Sequence, residues 1–453
     1  MNGVVDNIYF LGIGGIGMSA LARYYHRKGN KVSGYDKTPS PLTKRLEEEG
    51  IAIHYEDNPN LIPDDINMVI ITPAIPSDSL ELNYLREKGI KMMKRSEVLG
   101  EISNHNKSVA VSGTHGKTTV TALITHLLSY SKRKISAFVG GIARNIDSNV
   151  IIGDENDEFV VMEADEFDRS FLRLSPYVSV VTSIDADHLD IYGDTAHLEE
   201  AFNQFVAKTS SDGVVVYNAA LPIKTACKSI SYGYEDADVM PKNVKIENEM
   251  TKFDLVTKEG LVLGSYEMSL YGRHNVMNAM AAIIVSLQLG LDIRQIKEGL
   301  ATFLGVQRRF DIRYRDEKVC YIDDYAHHPE EITAALSSIR GFYPEYRHTV
   351  IFQPHLYTRT RDFAEGFAAS LSNVDRLILL DIYPAREEPI PGVTSEIIFR
   401  DVTAPEKILL KKGELMDYLR KDELGAKELY VTVGAGDIDR FIEPIKELLT
   451  EKL

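Results

Sequence analysis

Short apolar runs recur along the chain, each followed by a stretch whose apolar positions repeat at helical spacing. "NIYFLG" reads as a buried strand, Met18 to Lys28 as a helix, and "KVSGY" and "MVIITPA" as further strands. A second block opens at "SVAVSG", with "FVVMEA", "VSVVTSI" and "GVVVYN" as strands and helices predicted at about 117–130 and 195–208. Between 229 and 272 apolar and polar residues alternate in short stretches, which predicts antiparallel strands. A helix is predicted from about Val276 to Leu289. A third block runs from about 311, with "KVCYIDDY", "HTVIFQP", "RLILLDI" and "ELYVTVGAG" as strands. Strands alternating with helices at this spacing predict parallel sheets. The expected fold is α/β, with three domains at 1–105, 106–310 and 311–453, each a mainly parallel sheet flanked by helices. Ligands of such sheets sit at the carboxyl ends of the strands, where every motif below falls.

Composition narrows the class. The 453 residues carry a net charge of −16, which argues against a nucleic-acid partner because phosphate neutralisation needs a basic surface. Two cysteines, Cys227 and Cys320, make no disulfide framework and suit a reducing compartment. "IYFLGIGGIGMSALA" is apolar, but it has no basic flank and follows Asp6. The apolar stretch from Val276 to Leu291 is interrupted by Asn278, Ser286 and Gln288, so no membrane span is expected. The expectation is a cytoplasmic enzyme, monomeric or weakly dimeric, with neither nucleic acid nor membrane as partner.

Gly12-Ile13-Gly14-Gly15-Ile16-Gly17 satisfies G-x-G-x-x-G between a strand and a helix, and Asp36 ends the next strand. Glycines let a backbone approach a pyrophosphate, and the helix start offers N–H groups and partial positive charge. NAD and a UDP-sugar both carry that group, and a glycine turn can also serve only tight packing.

"SGTHGKTT" resembles a phosphate-binding loop, with Val111 where the usual pattern has its first glycine. Gly113, Thr114, Gly116, Lys117, Thr118 and Thr119 are candidate ATP-binding residues, with Lys117 toward the terminal phosphates and the Thr118 hydroxyl toward Mg2+. Glu163 ends "FVVMEA", and His188 follows "VSVVTSIDAD". With Thr118 they form a candidate metal site, against a solvated acidic patch and a surface histidine as alternatives. Asn275 and Asn278 share a helical face. They suit an adenine edge, or Asn275 caps the helix. Arg308 and Arg309 fall where the second and third blocks meet, either as a solvated basic pair or with one reaching a phosphate. "YIDDYAHHPEE" and "FQPHLYTRTRDF" gather Asp323, Asp324, Tyr325, His327, His328, His355, Tyr357, Arg359 and Arg361. Adjacent histidines on a turn rarely chelate one ion. A substrate pocket with Arg359 on a carboxylate is the preferred reading, against a surface ion-pair network.

"GIGGIGMSALA", "SGTHGKTT", "EADE", "DADHLD", "GRHNVMNA", "GVQRRFD", "DDYAHHP", "FQPHLYTRTRDF", "DIYPAREEPIPGV" and "VGAGDI" resemble, in order, the ATP-dependent Mur ligases of peptidoglycan synthesis. The resemblance covers nearly the whole chain, and the phosphate loop of that family lacks the first glycine too. It implies a Rossmann-like first domain for UDP-N-acetylmuramate, a P-loop central domain for ATP and Mg2+, and a Rossmann-like last domain for the incoming L-alanine. Gly12, Gly14, Gly15, Gly17, Asp36 and Thr72 become candidate UDP-sugar residues. The resemblance puts Lys117 on the β- and γ-phosphates, Thr118, Glu163 and His188 at the metal, Asn275 and Asn278 at adenine, and Arg308 at the transferred phosphoryl group. It puts Asp324, Tyr325, His327, His355 and Arg359 in the third-domain part of the site. Asp324 is grouped with ATP, Tyr325, His355 and Arg359 with the amino acid, and Lys117, Arg308, His327 and His355 with catalysis. Leu356 stands where some relatives carry a basic residue. Asn203 stands where several carry a carbamylated lysine, so no carbamate is expected. The implied reaction joins L-alanine to the lactyl carboxylate through an acyl phosphate. A ligase that attaches a recycled tripeptide is the rival within the family, and an NAD-dependent oxidoreductase or a nucleotide switch the rival outside it.

Overall fold

A computed structural model of the chain describes residues 6–153, 157–185, 192–385 and 387–452. Its architecture is α/β, built on three sheets. The first sheet comprises β1 (Asn7–Leu11), β2 (Lys31–Tyr35), β3 (Ala52–His54), β4 (Met68–Ile71) and β5 (Lys91–Lys94), in the order β3-β2-β1-β4-β5. All its pairings are parallel. The chain winds outward from β1 in both directions, which makes the carboxyl end of β1 a topological switch point. Its helices are α1 (Ile16–Arg27), α2 (Pro41–Glu48), α3 (Leu80–Glu87) and α4 (Arg95–His105).

The second sheet has ten strands among the described residues, in the order β15-β14-β13-β12-β11-β10-β6-β9-β7-β8. They are β6 (Ser108–Ser112), β7 (Ile135–Ala143), β8 (Ser148–Ile151), β9 (Phe159–Glu163), β10 (Val178–Val181), β11 (Val214–Asn218), β12 (Ser229–Tyr232), β13 (Val239–Glu247), β14 (Met250–Thr257) and β15 (Val262–Met268). β6, fully buried, sits between β9 and β10 and leads into α5 (Lys117–Tyr130). The antiparallel region is narrower than the alternation from 229 predicts. β12 pairs parallel to β11, and antiparallel pairing begins only between β13 and β14. Residues 219–228 give the chain room for the crossover that a parallel pair requires.

The third sheet runs β16 (Asp311–Arg315), β17 (Val319–Asp324), β21 (Glu428–Val433), β18 (Arg347–Phe352), β19 (Arg376–Leu380) and β20 (Glu406–Leu410) in spatial order, with β16 antiparallel to β17 and the rest parallel.

The chain falls into two compact units, Met1–Ser269 with Asn275–Leu304 and Leu270–His274 with Gly305–Leu453. The first unit holds two sheets that share a core. Ile8, Phe10 and Met18 belong to the same apolar cluster as Phe138, Phe171 and Phe202. Tyr24 of α1 meets Phe138 of β7 at 5.3 Å between ring centres. A buried polar clasp accompanies this packing. The Arg23 guanidinium donates to Glu49 at 2.8 Å and to Asn149 at 3.1 Å, and the Asn149 amide donates to the Ile16 carbonyl at 2.5 Å. The second unit packs one apolar cluster around Phe352 and Phe367 and another around Tyr321 and Tyr430.

Candidate functional site

The glycine loop after β1 is closed by its own backbone. Gly12, at φ +83, is a conformation few side chains adopt, and a Cβ there would lie 2.7 Å from Thr72. The Gly12 and Ile13 amides donate to the Tyr35 carbonyl at 2.8 and 3.0 Å. The Gly14 amide donates to Asp36 Oδ2 at 2.8 Å, and Thr38 N donates to Asp36 Oδ1 at 3.2 Å. Asp36 therefore fastens the loop. Gly15 is the N-cap of α1.

The second loop is clamped from the end of β10. Thr182 Oγ1 donates to the His115 carbonyl at 2.5 Å, and the His115 amide donates to Ser183 Oγ at 2.8 Å. Thr114 Oγ1 donates to Asp185 at 3.0 Å. Gly113 and Gly116 both have positive φ, and a side chain at Gly113 would collide with Thr182. Gly116, at φ +83, caps α5 and turns the chain so that Lys117 starts the helix. A Cβ at Gly116 would lie 2.7 Å from Asn278 Oδ1, so the structure brings Asn278 to the loop. Asn278 Nδ2 donates to Asn275 Oδ1 at 3.1 Å, and Asn275 lies inside the helix Arg273–Gln288 rather than capping it.

Lys117 is ion-paired. Its ammonium donates to Glu166 Oε1 and Oε2 at 2.8 and 2.9 Å and to the Gly113 carbonyl at 2.5 Å. Burial alone would lower its pKa, but the Glu166 and Asp165 carboxylates outweigh burial and hold it above the ordinary lysine value. Glu166 is itself buried, and Tyr192 donates to its carbonyl at 2.6 Å. Glu163 ends β9 and accepts from Gly140 N at 2.6 Å. Burial pushes its carboxyl up, opposed by the Gly140 amide, Lys117 and a hydrogen bond from Thr118. A hydroxyl and a carboxylate brought together in this way are the hard oxygen donors that Mg2+ takes. His188 lies outside the described residues.

In the second unit, Arg308 sits at φ +60 and is engaged on several sides. Its Nε donates to Asp323 at 3.0 Å and its Nη2 to the Gly434 carbonyl at 2.6 Å. Arg308 and Arg309 each lie 5.1 Å from the centre of the Tyr325 ring. Asp324 is buried and gives both oxygens to backbone amides, Phe310 N at 2.7 Å and Ala326 N at 2.8 Å. Burial pushes its carboxyl up to about 6 against Arg309 and those amides.

His327 and His355 come together, 6.2 Å between ring centres, and His327 lies 5.3 Å from Tyr325. Burial lowers the His327 pKa to about 4, against Glu331 and with Arg359 adding to the fall. The His355 ring stacks on Tyr383 at 5.7 Å. Arg359 sits on the helix Tyr357–Asp362, whose first turn is held by Glu387. The Thr358 amide and hydroxyl both donate to Glu387, at 3.0 and 2.5 Å. Arg361 is exposed and pairs with Asp362 at 2.7 Å.

Sequence reasoning gave no role to Glu166, Ser183, Asp185, Tyr383 or Glu387. The last acid of "EADE" was the signal for Glu166, and "DIYPAREEPIPGV" held Tyr383 and Glu387 without saying what they touch.

Three family profiles match in the order of the sheets. Residues 7–107 match the Mur ligase family catalytic domain, 111–286 the Mur ligase middle domain and 308–436 the Mur ligase glutamate ligase domain. The UDP-N-acetylmuramate–L-alanine ligase of Parabacteroides distasonis is 47% identical over 99% of this chain and 98% of its own. The chain belongs to the Mur ligase family. A second such ligase, from Christiangramia forsetii, is 43% identical over 98% of both chains. Among solved Mur ligases, the UDP-N-acetylmuramate-alanine ligase of Thermotoga maritima matches 99% of this chain and 100% of its own at a TM-score of 0.86 and 27% identity. The murein peptide ligase of Psychrobacter arcticus, at 20% identity and a TM-score of 0.73, shares the fold.

Proposed function

We propose that the chain joins L-alanine to the lactyl carboxylate of UDP-N-acetylmuramate, with ATP cleaved to ADP and phosphate, in the synthesis of peptidoglycan precursors. One observation carries this reading: the 47% identity to a UDP-N-acetylmuramate–L-alanine ligase extends across 99% of the chain and so covers all three sheets. The first sheet takes the UDP-sugar on its glycine loop, the second takes ATP on the loop after β6, and the third takes alanine.

A carboxylate is a poor electrophile, and an amine in contact with a carboxylic acid exchanges a proton instead of forming an amide. The lactyl carboxylate oxygen therefore first attacks the γ-phosphorus of ATP, and ADP leaves. The alanine nitrogen then attacks the acyl carbon, phosphate departs, and the nitrogen loses a proton. Lys117 neutralises the phosphates during the first step once they compete with Glu166 for its ammonium. Asn275 and Asn278 hold the adenine edge, and Arg308 the phosphoryl group in transfer. Thr118 and Glu163, with His188, would hold Mg2+, which would supply charge neutralisation for the phosphates. Arg359 holds the alanine carboxylate and orients the amine, and Tyr325 is assigned to the same amino-acid site. His327 and His355 are the candidate acceptors of the amine proton. The reaction belongs to the cytoplasm, where both nucleotides are made.

The test is ADP release from UDP-N-acetylmuramate against the twenty amino acids and the L-Ala-γ-D-Glu-meso-diaminopimelate tripeptide. L-Alanine is expected to give the highest kcat/KM. Preference for the tripeptide overturns the alanine reading, and ADP release without the UDP-sugar overturns the ligase reading.

A further inference from the structure

The glycine loop presents an electrostatic problem to a diphosphate. Its four leading amides are spent inside the protein: Gly12 and Ile13 on the Tyr35 carbonyl, Gly14 on Asp36 and Gly15 on the Gly12 carbonyl. Asp36 adds a negative charge at the loop itself. The first turn of α1 carries no acidic residue, but the helix starts with Ile16, Gly17 and Met18 and offers no cation either. A UDP-sugar brings two negative charges on its diphosphate, and a helix start alone is worth only about half a unit charge.

Arg95 supplies the cation. It is the first residue of α4, directly after β5. Its guanidinium lies against the first turn of α1: Nη1, Cδ and Cζ are the atoms that a Cβ on Gly17 would meet, and Nη1 would clash with it. Glycine at 17 is thus the residue that makes room for this side chain. Nη2 donates to Asp165 Oδ2 at 3.1 Å, and the pair is about one-third exposed. Asp165 belongs to "EADE", in the second sheet's domain, and acts electrostatically on Lys117. One end of the guanidinium is therefore fixed by a carboxylate and the other is laid along the loop's helix. A planar fork held in that way is pre-organised for a phosphate oxygen.

We infer that Arg95 is an anion-binding residue of the UDP-sugar site, that it takes the diphosphate laid on the start of α1, and that Asp165 orients it. The inference rests on the UDP-sugar reading above and names the residue that balances the charge. Wild-type ADP release dependent on UDP-N-acetylmuramate tests that reading by itself. Arg95 is then tested by calorimetric titration of the intact protein with UDP and with UDP-N-acetylmuramate, alongside KM values for ATP and alanine.

Arg95→Ala is expected to weaken both uridine ligands by roughly 10- to 100-fold, the scale of a charged hydrogen bond, and to leave the KM for ATP near wild type. Arg95→Lys is expected to restore part of the loss. Gly17→Ala, which keeps the charge but displaces the guanidinium, is expected to weaken UDP as well. Raising the salt concentration is expected to weaken UDP binding less in Arg95→Ala than in the wild type. Unchanged UDP affinity in a stably folded Arg95→Ala or Arg95→Gln protein overturns the inference. So does a loss confined to UDP-N-acetylmuramate with UDP unaffected, because the group then meets the lactyl carboxylate. A KM rise for ATP equal to that for the sugar would make Arg95 a general structural residue and equally overturns it.

Discussion

The phosphate loop of the second sheet and the histidine-rich end of the third are built in opposite ways. In the loop the backbone makes the site. Gly113 and Gly116 have positive φ, Gly116 ends the turn at the start of α5, and Thr182 and Ser183 hold the His115 carbonyl and amide of the loop in place. At the third sheet the site is mainly a cluster of side chains whose charges depend on one another, although Arg308, Phe310 and Leu356 also take positive φ there. His327 is held neutral by burial, Asp324 is tied to two amides, and Arg359 rides on a short helix fastened by Glu387. The difference teaches where damage will show. A backbone site loses its function when one charged side chain is removed and otherwise persists. A side-chain cluster changes gradually, in specificity and in pH response.

The sharpest test of that contrast is Lys117→Ala. Lys117 is the lysine of the loop and its ammonium is already poised beside Glu166 at 2.8 Å. Removal is expected to cut ADP formation by roughly 10²–10³, the scale for losing one electrostatic donor. UDP-sugar binding, measured by calorimetry, is expected to survive. Near-wild-type turnover would show that the loop does not carry the phosphates.

Arg308 stands between the two types and is expected to give the next largest effect. Its ion pair with Asp323 is largely buried, 18% and 0% exposed. Breaking a buried pair from one side costs about 3–5 kcal/mol because the remaining charge has no partner. Arg308→Ala is expected to lower both the melting temperature and kcat. The double variant Arg308→Ala/Asp323→Asn is expected to recover much of the stability and none of kcat. Recovery of both would leave Arg308 a structural residue only.

How much of this was readable in the sequence follows the same division. The two glycine loops declare themselves by spacing, since backbone conformation fixes which positions tolerate a side chain. Most central strands declare themselves by continuous apolar runs. β3, β5, β16 and β20 do not, because they are short or polar at their ends. β7 carries Gly140 and Gly141 within it and pairs with β8 across a hairpin. Some side-chain partnerships were legible, Asn275 with Asn278 and Thr118 with Glu163 among them, but the ion pairs between distant segments were not. Lys117 meets Glu166 across 49 residues and Arg95 meets Asp165 across 70, and nothing local in either segment requires the other. Asp324 adds what its type did not suggest: its carboxylate holds the Phe310 and Ala326 amides.

Specificity is the next test of the side-chain cluster. Arg359→Ala is expected to raise the KM for alanine and spare that for ATP. Selectivity of the wild type for alanine over glycine is expected to be modest, since one methyl in an apolar pocket is worth about 1–3 kcal/mol, or roughly 10–200-fold. Serine is expected to react measurably, because such a pocket rejects an added hydroxyl poorly. Unchanged alanine KM in Arg359→Ala would remove the carboxylate contact from the third domain.

The smallest expected effect is one of pH, and it separates the two regions by mechanism. The His327 ring packs between Tyr325 and His355, and the charged groups acting on it are Glu331, which favours the imidazolium, and Arg359 and Arg309, which oppose it. Burial outweighs Glu331 and sets the folded pKa at about 4, below the ordinary histidine value of 6.5. Between those two values the unfolded chain binds a proton at this ring that the folded protein does not. Stability contributed by neutral His327 is therefore fully present above about pH 6.5 and is lost as pH falls toward 4. His327→Gln cannot titrate, so its urea midpoint is expected to fall less steeply than the wild type's over that interval and to run parallel to it above pH 7. Identical slopes in the two proteins would mean that His327 is not held neutral by its surroundings, and would leave His355 as the group to test for the amine proton.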